Sequence, residues 1–213
     1  MQSAMIEFFF DCSSPWSYLA FRNIQPRAAG QHISISWRPV LVGGIFNTVN
    51  QRMYAGREDM NSPRNRYMLK DLQDCARQAG VMIEFPPKVF PVNSVKVMRG
   101  CLWLAENSVT SQKLTDFIEA TFAAYFTQQA DISQDDVIAR IASQCGIDPA
   151  ELSAGILQSA IKAQLKSNTD EAIARGAFGV PTLFVGPDMY FGNDRVDLAM
   201  AAAMRSCESQ ILN

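Results

Sequence analysis

The chain has 213 residues, of which 48% are hydrophobic and 19% charged, and its formal net charge is −2. That balance belongs to a folded globular chain and excludes disordered and fibrous classes. A charge so close to zero gives no electrostatic reason to expect nucleic acid or an anionic membrane as a partner.

The length admits one large domain or one domain carrying a sizeable insertion. Met1 to Phe10 has no basic n-region, and its apolar run is only Phe8-Phe9-Phe10, so a signal peptide is not expected. No stretch approaches the roughly 20 apolar residues of a membrane span. The five cysteines (Cys12, Cys75, Cys101, Cys145 and Cys207) are scattered without C-x-x-C spacing, and His32 is the single histidine. A zinc site of the usual spacing is therefore not expected, and neither is any other metal. The thiols are expected to be free in a reducing compartment, with the cytoplasm the default. Cys12, Cys101 and Cys145 are expected to act as small buried hydrophobes.

In chain order, Ile6 to Phe10 reads as a short buried strand. After the turn-like Asp11-Cys12-Ser13-Ser14, Pro15 suits the first turn of a helix running through Tyr18, Leu19 and Ile24. Pro26 is expected to kink or shorten it, with Gly30 just beyond. Ile33 to Trp37 alternates at period two, completing a βαβ unit from which a parallel sheet is expected. From Gly43 to about Pro63 the pattern fails, and a long functional or irregular loop is expected. Residues from about 64 to 175 read as helical almost throughout. Leu114, Phe117, Ile118, Thr121, Phe122 and Tyr125 form an amphipathic stripe. Ser133 with Asp136 is expected to cap the next helix and Gly146 to end it. Asp148-Pro149 starts another, and a last one runs from Ser159 to Arg175, stopping at Gly176. Phe85 to Pro91 is a rigid extended exception. Pro181 to Val185 and Met189 to Phe191 read as a hairpin, followed by a closing helix over 196–209.

The order is therefore βαβ, a helical block, then ββα. It predicts an α/β thioredoxin-like fold with an inserted all-helical domain: residues 1–62 and 176–213 form the thioredoxin-like part, and 63–175 the insertion. In that fold a C-x-x-C pair opens the first helix. Here the four residues are Ser14-Pro15-Trp16-Ser17, so no disulfide can form there. A serine at a helix N-terminus faces backbone N–H groups and a dipole that favour negative charge. With no histidine beside it, it is suited to hold another group's anion rather than to act as a hydrolase nucleophile. Ser14 can equally serve as a plain N-cap.

The segment from Phe9 to Ala20 resembles the active-site segment of bacterial 2-hydroxychromene-2-carboxylate isomerases and kappa-class glutathione transferases. Gly176-Ala177-Phe178-Gly179-Val180-Pro181-Thr182 resembles that family's cis-proline loop. Phe191-Gly192-Asn193-Asp194-Arg195 and, more loosely, Phe90-Pro91-Val92-Asn93-Ser94 supply two further matches in the same order. The resemblance implies glutathione as the cofactor, with Ser14 as the catalytic residue steadying its thiolate and lowering a thiol pKa from about 8.5. It implies that Val180, before a cis Pro181, pairs with the glutathione backbone; a trans proline opening a strand is the plain alternative. It assigns Asn193 and Asp194 to the γ-glutamyl end, where Asp194 can also be a helix cap. It assigns Asn50 to the glycyl end, across a gap in the match. Trp16 and Tyr18 become aromatic walls beside the thiolate. Asn93 would face the second substrate or form an Asx turn, and Arg64 and Arg66 would serve carboxylates or be solvated. The implied activity is glutathione-dependent isomerisation of 2-hydroxychromene-2-carboxylate, an aromatic keto-acid hemiketal, to trans-o-hydroxybenzylidenepyruvate in aromatic catabolism. Tyr18, Val180 and Asn193 favour the isomerase over the alternative, a kappa-class transferase or peroxidase acting on other electrophiles. A homodimer is expected, without nucleic acid or membrane partners.

Overall fold

A computed structural model describes residues 4–52, 62–107 and 111–211. Four strands form one mixed sheet in the order β2-β1-β3-β4. Strand β1 (Met5–Phe10) runs parallel to β2 (Ser34–Pro39), with Phe8 opposite Trp37. Strand β3 (Thr182–Val185) returns antiparallel to β1, and β4 (Asp188–Phe191) completes a hairpin with it. The sheet is thus mixed, and the βαβ unit accounts only for its parallel half. Alternation along β1 sends Phe8 and Phe10 into one core and Phe9 into a second, smaller one with Val40, Ile45, Val180 and Phe184.

Helix α1 (Pro15–Gln31) crosses from β1 to β2 with Pro at its start. Pro26 does not shorten it. The proline lies on the exposed side, where water can meet a carbonyl that lacks its N–H partner. The helix ends instead at His32, left-handed at φ 54°, whose N–H donates to the Ala28 carbonyl. The segment after Pro39 is not wholly irregular either, because Val42–Val49 forms helix α2. Its glycines masked the pattern, yet Gly44 has a packing reason: an added Cβ would lie 3.2 Å from Thr169 Cγ2. The stretch 53–61 of the expected loop lies outside the described residues.

Six helices follow: α3 (Pro63–Ala79), α4 (Val95–Glu106), α5 (Ser111–Phe126), α6 (Asp135–Gln144), α7 (Pro149–Leu157) and α8 (Ser159–Ala174). The stripe on α5 is buried as its spacing requires, and Phe122 meets Phe10, Tyr18 and Phe21. The helical block and the sheet therefore share one continuous hydrophobic core. Asp148 caps α7 by accepting from the Ala150 N–H at 2.8 Å. Ser133 does not cap α6: its N–H and hydroxyl both donate to Asp131, and the chain enters the helix one residue later at Gln134. A 3-10 turn over Asn193–Arg195 leads into the closing helix α9 (Val196–Ile211). Among the described residues, no helix is long and apolar enough to cross a membrane.

Candidate functional site

Ser14 sits at the junction of β1 and α1, extended at φ −99° and ψ 119°, as an N-cap should be. Its Oγ accepts from the Ser17 N–H at 3.2 Å and donates to the Val180 carbonyl at 3.3 Å. The Val180–Pro181 peptide is cis. One hydroxyl thus caps the helix and faces the loop that precedes β3. Ser17, the other hydroxyl of the four-residue segment, is fully buried, and its Oγ has no partner among the described residues.

Beneath this junction lies Asp11, only 1% exposed. Its Oδ1 accepts from the Ser13 N–H at 2.9 Å and its Oδ2 from the Val42 N–H, the first of α2, at 2.9 Å. The Ser94 hydroxyl, at the entry to α4, also bonds to it, which explains why Ser94 makes no cap of its own. The Asp11 carbonyl accepts the Ser14 N–H at 3.0 Å. Burial pushes the Asp11 carboxyl above its ordinary range, against the hydrogen bonds that favour its ionised form. Sequence reasoning treated Asp11 as a turn residue. The Asx turn to Ser13 was legible there, but the links to Val42 and Ser94 were not.

The loop before β3 gathers the other candidates. Asn50, at the end of α2, donates through Nδ2 to the Phe178 carbonyl at 3.0 Å. Gly192 N–H donates to the Pro181 carbonyl at 3.0 Å, placing the Asn193–Asp194 turn beside the same loop. Asn193 accepts from Asn23 of α1 at 2.8 Å. Asp194 does not cap the 3-10 turn, whose N-cap is Gly192; its exposed carboxylate pairs with Arg195 at 2.8 Å. Gly192 has φ 102°, and a Cβ there would stand 2.7 Å from Asp194 Oδ1, so the carboxylate folds back over a position that needs glycine. Phe178 and Phe191, 40% and 38% exposed, pack with centroids 4.2 Å apart and planes tilted by 42°, and form an open aromatic shelf that the sequence reading missed.

Other candidates lie differently. Tyr18 is not an open wall: it is 3% exposed and stacks on Phe122 at 4.9 Å. Burial first, then the Glu119 carboxylate, pushes its phenol up, so it keeps its proton, and it is burial that removes it from the open surface beside Ser14. Trp16 is half-buried against the main core. Asn93 is exposed and forms the Asx turn, accepting from the Val95 N–H at 3.1 Å. Arg64 and Arg66 are exposed in the first turn of α3. Cys12 and Cys101 are fully buried side by side, and burial drives the Cys12 thiol well above its ordinary value, with Cys101 adding to it. Cys145 is only partly buried. The Cys207 side chain lies outside the described residues.

A mixed sheet of this order, with a cis-proline loop facing the N-terminus of α1 and helices inserted before it, defines a thioredoxin-like protein of the helical-insertion type. The chain belongs to the family of the DSBA-like thioredoxin domain, which matches residues 5–203. It is 24% identical over 203 residues to the 2-hydroxychromene-2-carboxylate isomerase of Pseudomonas putida, covering 95% of this chain and 96% of that one. To the human glutathione S-transferase kappa 1 it is 27% identical over 211 residues, covering 91% and 88%. A solved 2-hydroxychromene-2-carboxylate isomerase superposes with a TM-score of 0.77 at 24% identity, over 97% of this chain and 98% of that one. The cytosolic disulfide reductase DsbM of Pseudomonas aeruginosa, solved with glutathione, superposes at 0.64 and 12% identity, over 98% and 100%. The last two likenesses establish the fold. The sequence relatives are isomerases and glutathione transferases, and they support an enzyme.

Proposed function

We propose that this protein is a glutathione-dependent isomerase that converts 2-hydroxychromene-2-carboxylate to trans-o-hydroxybenzylidenepyruvate, working in the cytoplasm as a homodimer. The observation that carries the reading is Ser14, an N-cap whose hydroxyl is directed at the Val180 carbonyl where a redox pair would otherwise stand.

The residues present fit glutathione group by group. The Ser14–Val180 bond is long at 3.3 Å, so the hydroxyl gives up little when it turns to donate to a sulfur anion. The N-terminus of α1 adds a favourable dipole at the same place. Turning Ser14 also frees the Val180 carbonyl to accept from a peptide N–H, as in strand addition. The exposed Asp194 carboxylate offers a partner to an ammonium, and Asn50 lies at the far end of the same loop for the glycyl group. When bound, glutathione supplies a thiolate for reversible addition to a conjugated double bond. The Phe178–Phe191 shelf gives an aromatic substrate a ring face. The Asn93 amide nitrogen and Arg64, both on exposed residues, can meet its oxygens, and half-buried Trp16 flanks the Ser14 turn.

A second reading is a kappa-type transferase that uses the same thiolate on other electrophiles, favoured by the 27% identity to the human protein. Loss of 2-hydroxychromene-2-carboxylate absorbance, measured with and without glutathione, tests the first. Glutathione-dependent loss is expected. If the absorbance holds while an activated aryl halide is conjugated, the transferase reading replaces it.

A further inference from the structure

A cleft of about 260 Å3 opens on the far side of α2 from the cis-proline loop, between α2, α4 and α8. Phe46 and Asn50 of α2 face the loop, whereas Leu41, Gly44 and Thr48 face this cleft. Its floor is apolar, built from Leu41, Leu165 and Ile173, and its rim carries Arg99, Lys162 and Lys166. Arg99 is the unusual member. Its Nε is buried and has no hydrogen-bond partner, and no carboxylate pairs with its guanidinium among the described residues. A buried guanidinium N–H without an acceptor is costly and draws the group toward an anion or water that its outer nitrogens can reach.

Arg99 also borders a second cleft, between α4, α6 and α7, and charge decides between the two. The second cleft pairs Lys96 with Asp135 and adds Asp136, so its four charges cancel. In the first, Asp170 bonds to Lys166, leaving Arg99 and Lys162 without an acidic partner among the described residues. Thr48 and Thr169 already donate their hydroxyl protons to the Gly44 and Leu165 carbonyls. Donors to a ligand therefore come from the cations, and the remaining contacts are apolar.

We infer that the α2–α4–α8 cleft binds a small organic carboxylate with an apolar body of about one ring. Its carboxylate would lie against the Arg99 guanidinium, whose fork matches two oxygens, with Lys162 beside it. Its body would rest on Leu41 and Leu165, the mix of apolar walls and few polar groups that small-molecule sites show. The cleft is separate from the Ser14 site, so the inference stands whichever reaction occurs there.

Benzoate is a suitable probe, titrated calorimetrically into the intact protein at low ionic strength, with backbone amide shifts recorded in parallel. Saturable binding is expected, with shifts at Gly44 and Thr169. Arg99→Gln should weaken it about tenfold or more, the effect of one charge-assisted hydrogen bond. Lys162→Gln, on an exposed position that leaves folding intact, should weaken it too. Lys96→Gln, in the second cleft only, should leave it unchanged. The inference is overturned if Lys162→Gln and Arg99→Gln both bind benzoate as the parent does. It is equally overturned if Lys96→Gln weakens binding as much, or if inorganic phosphate binds as tightly as benzoate.

Discussion

The Ser14 hydroxyl donates to the Val180 carbonyl across 166 positions of sequence and also accepts from the Ser17 N–H. The same oxygen therefore has a structural duty beside the chemical one proposed for it. The structural duty is measurable by itself: Ser14→Ala should cost about 1 kcal/mol in a denaturant titration, and Ser14→Gly only a few tenths. Equal stabilities for all three proteins would remove Ser14 as a helix cap.

Asp194 is exposed and does not cap the 3-10 turn, so its loss should leave the fold alone. Asp194→Ala is expected to change stability by less than about 0.5 kcal/mol. Glutathione affinity should fall about tenfold as the ammonium loses its partner. Calorimetry showing unchanged affinity would detach Asp194 from the γ-glutamyl end.

Gly192 holds that carboxylate in place through a backbone conformation at φ 102°. Gly192→Ala should destabilise by roughly 1–3 kcal/mol and push Asp194 aside, weakening glutathione. Combined with Asp194→Ala, it should add little further loss of affinity, because both changes remove one interaction. Additive losses in that double-mutant cycle would mean that Gly192 acts elsewhere.

Asp11 joins the Ser14 turn, the start of α2 and the entry to α4 through one buried carboxylate. Asp11→Asn replaces an acceptor by a donor facing a backbone N–H, and should destabilise by about 1–3 kcal/mol. A pH signature accompanies this. Because burial raises the folded carboxyl above its unfolded value, the folded state holds the proton more tightly. Its contribution is thus full below the unfolded pKa of about 3.9 and is lost as pH rises through the higher folded value. The difference in stability between parent and Asp11→Asn should therefore shrink as pH rises above about 4. A difference that grows over that range would mean that the hydrogen bonds outweigh burial.

Much of this was legible in the sequence because it is local. Alternation marked β2, the stripe from Leu114 to Tyr125 marked α5, and Ser14-Pro15 marked the start of α1. What failed was long-range or hidden by composition. Gly43 and Gly44 argued against helix α2, and only the approach of Thr169 gives Gly44 a packing reason. Asp194 read as a cap until the 3-10 turn put Gly192 at that position. Tyr18 looked available to substrate, but the α5 aromatics that bury it lie about a hundred residues away. Arg99 carries no local signal and Asp11 only that of a turn, because their importance comes from which elements meet around them.

The most direct test of the central claim is the rate of the glutathione-dependent reaction against pH for Ser14→Ala beside the parent protein. A hydroxyl that donates to the thiolate lowers the bound thiol pKa, so its loss should shift the midpoint of the profile upward. Near neutral pH the rate should fall roughly tenfold to a hundredfold, the worth of a charge-assisted hydrogen bond of about 1.5–3 kcal/mol. Part of that loss should return at higher pH, where solvent deprotonates the thiol unaided. Two profiles sharing one midpoint would contradict thiolate stabilisation by Ser14 and leave it a helix cap.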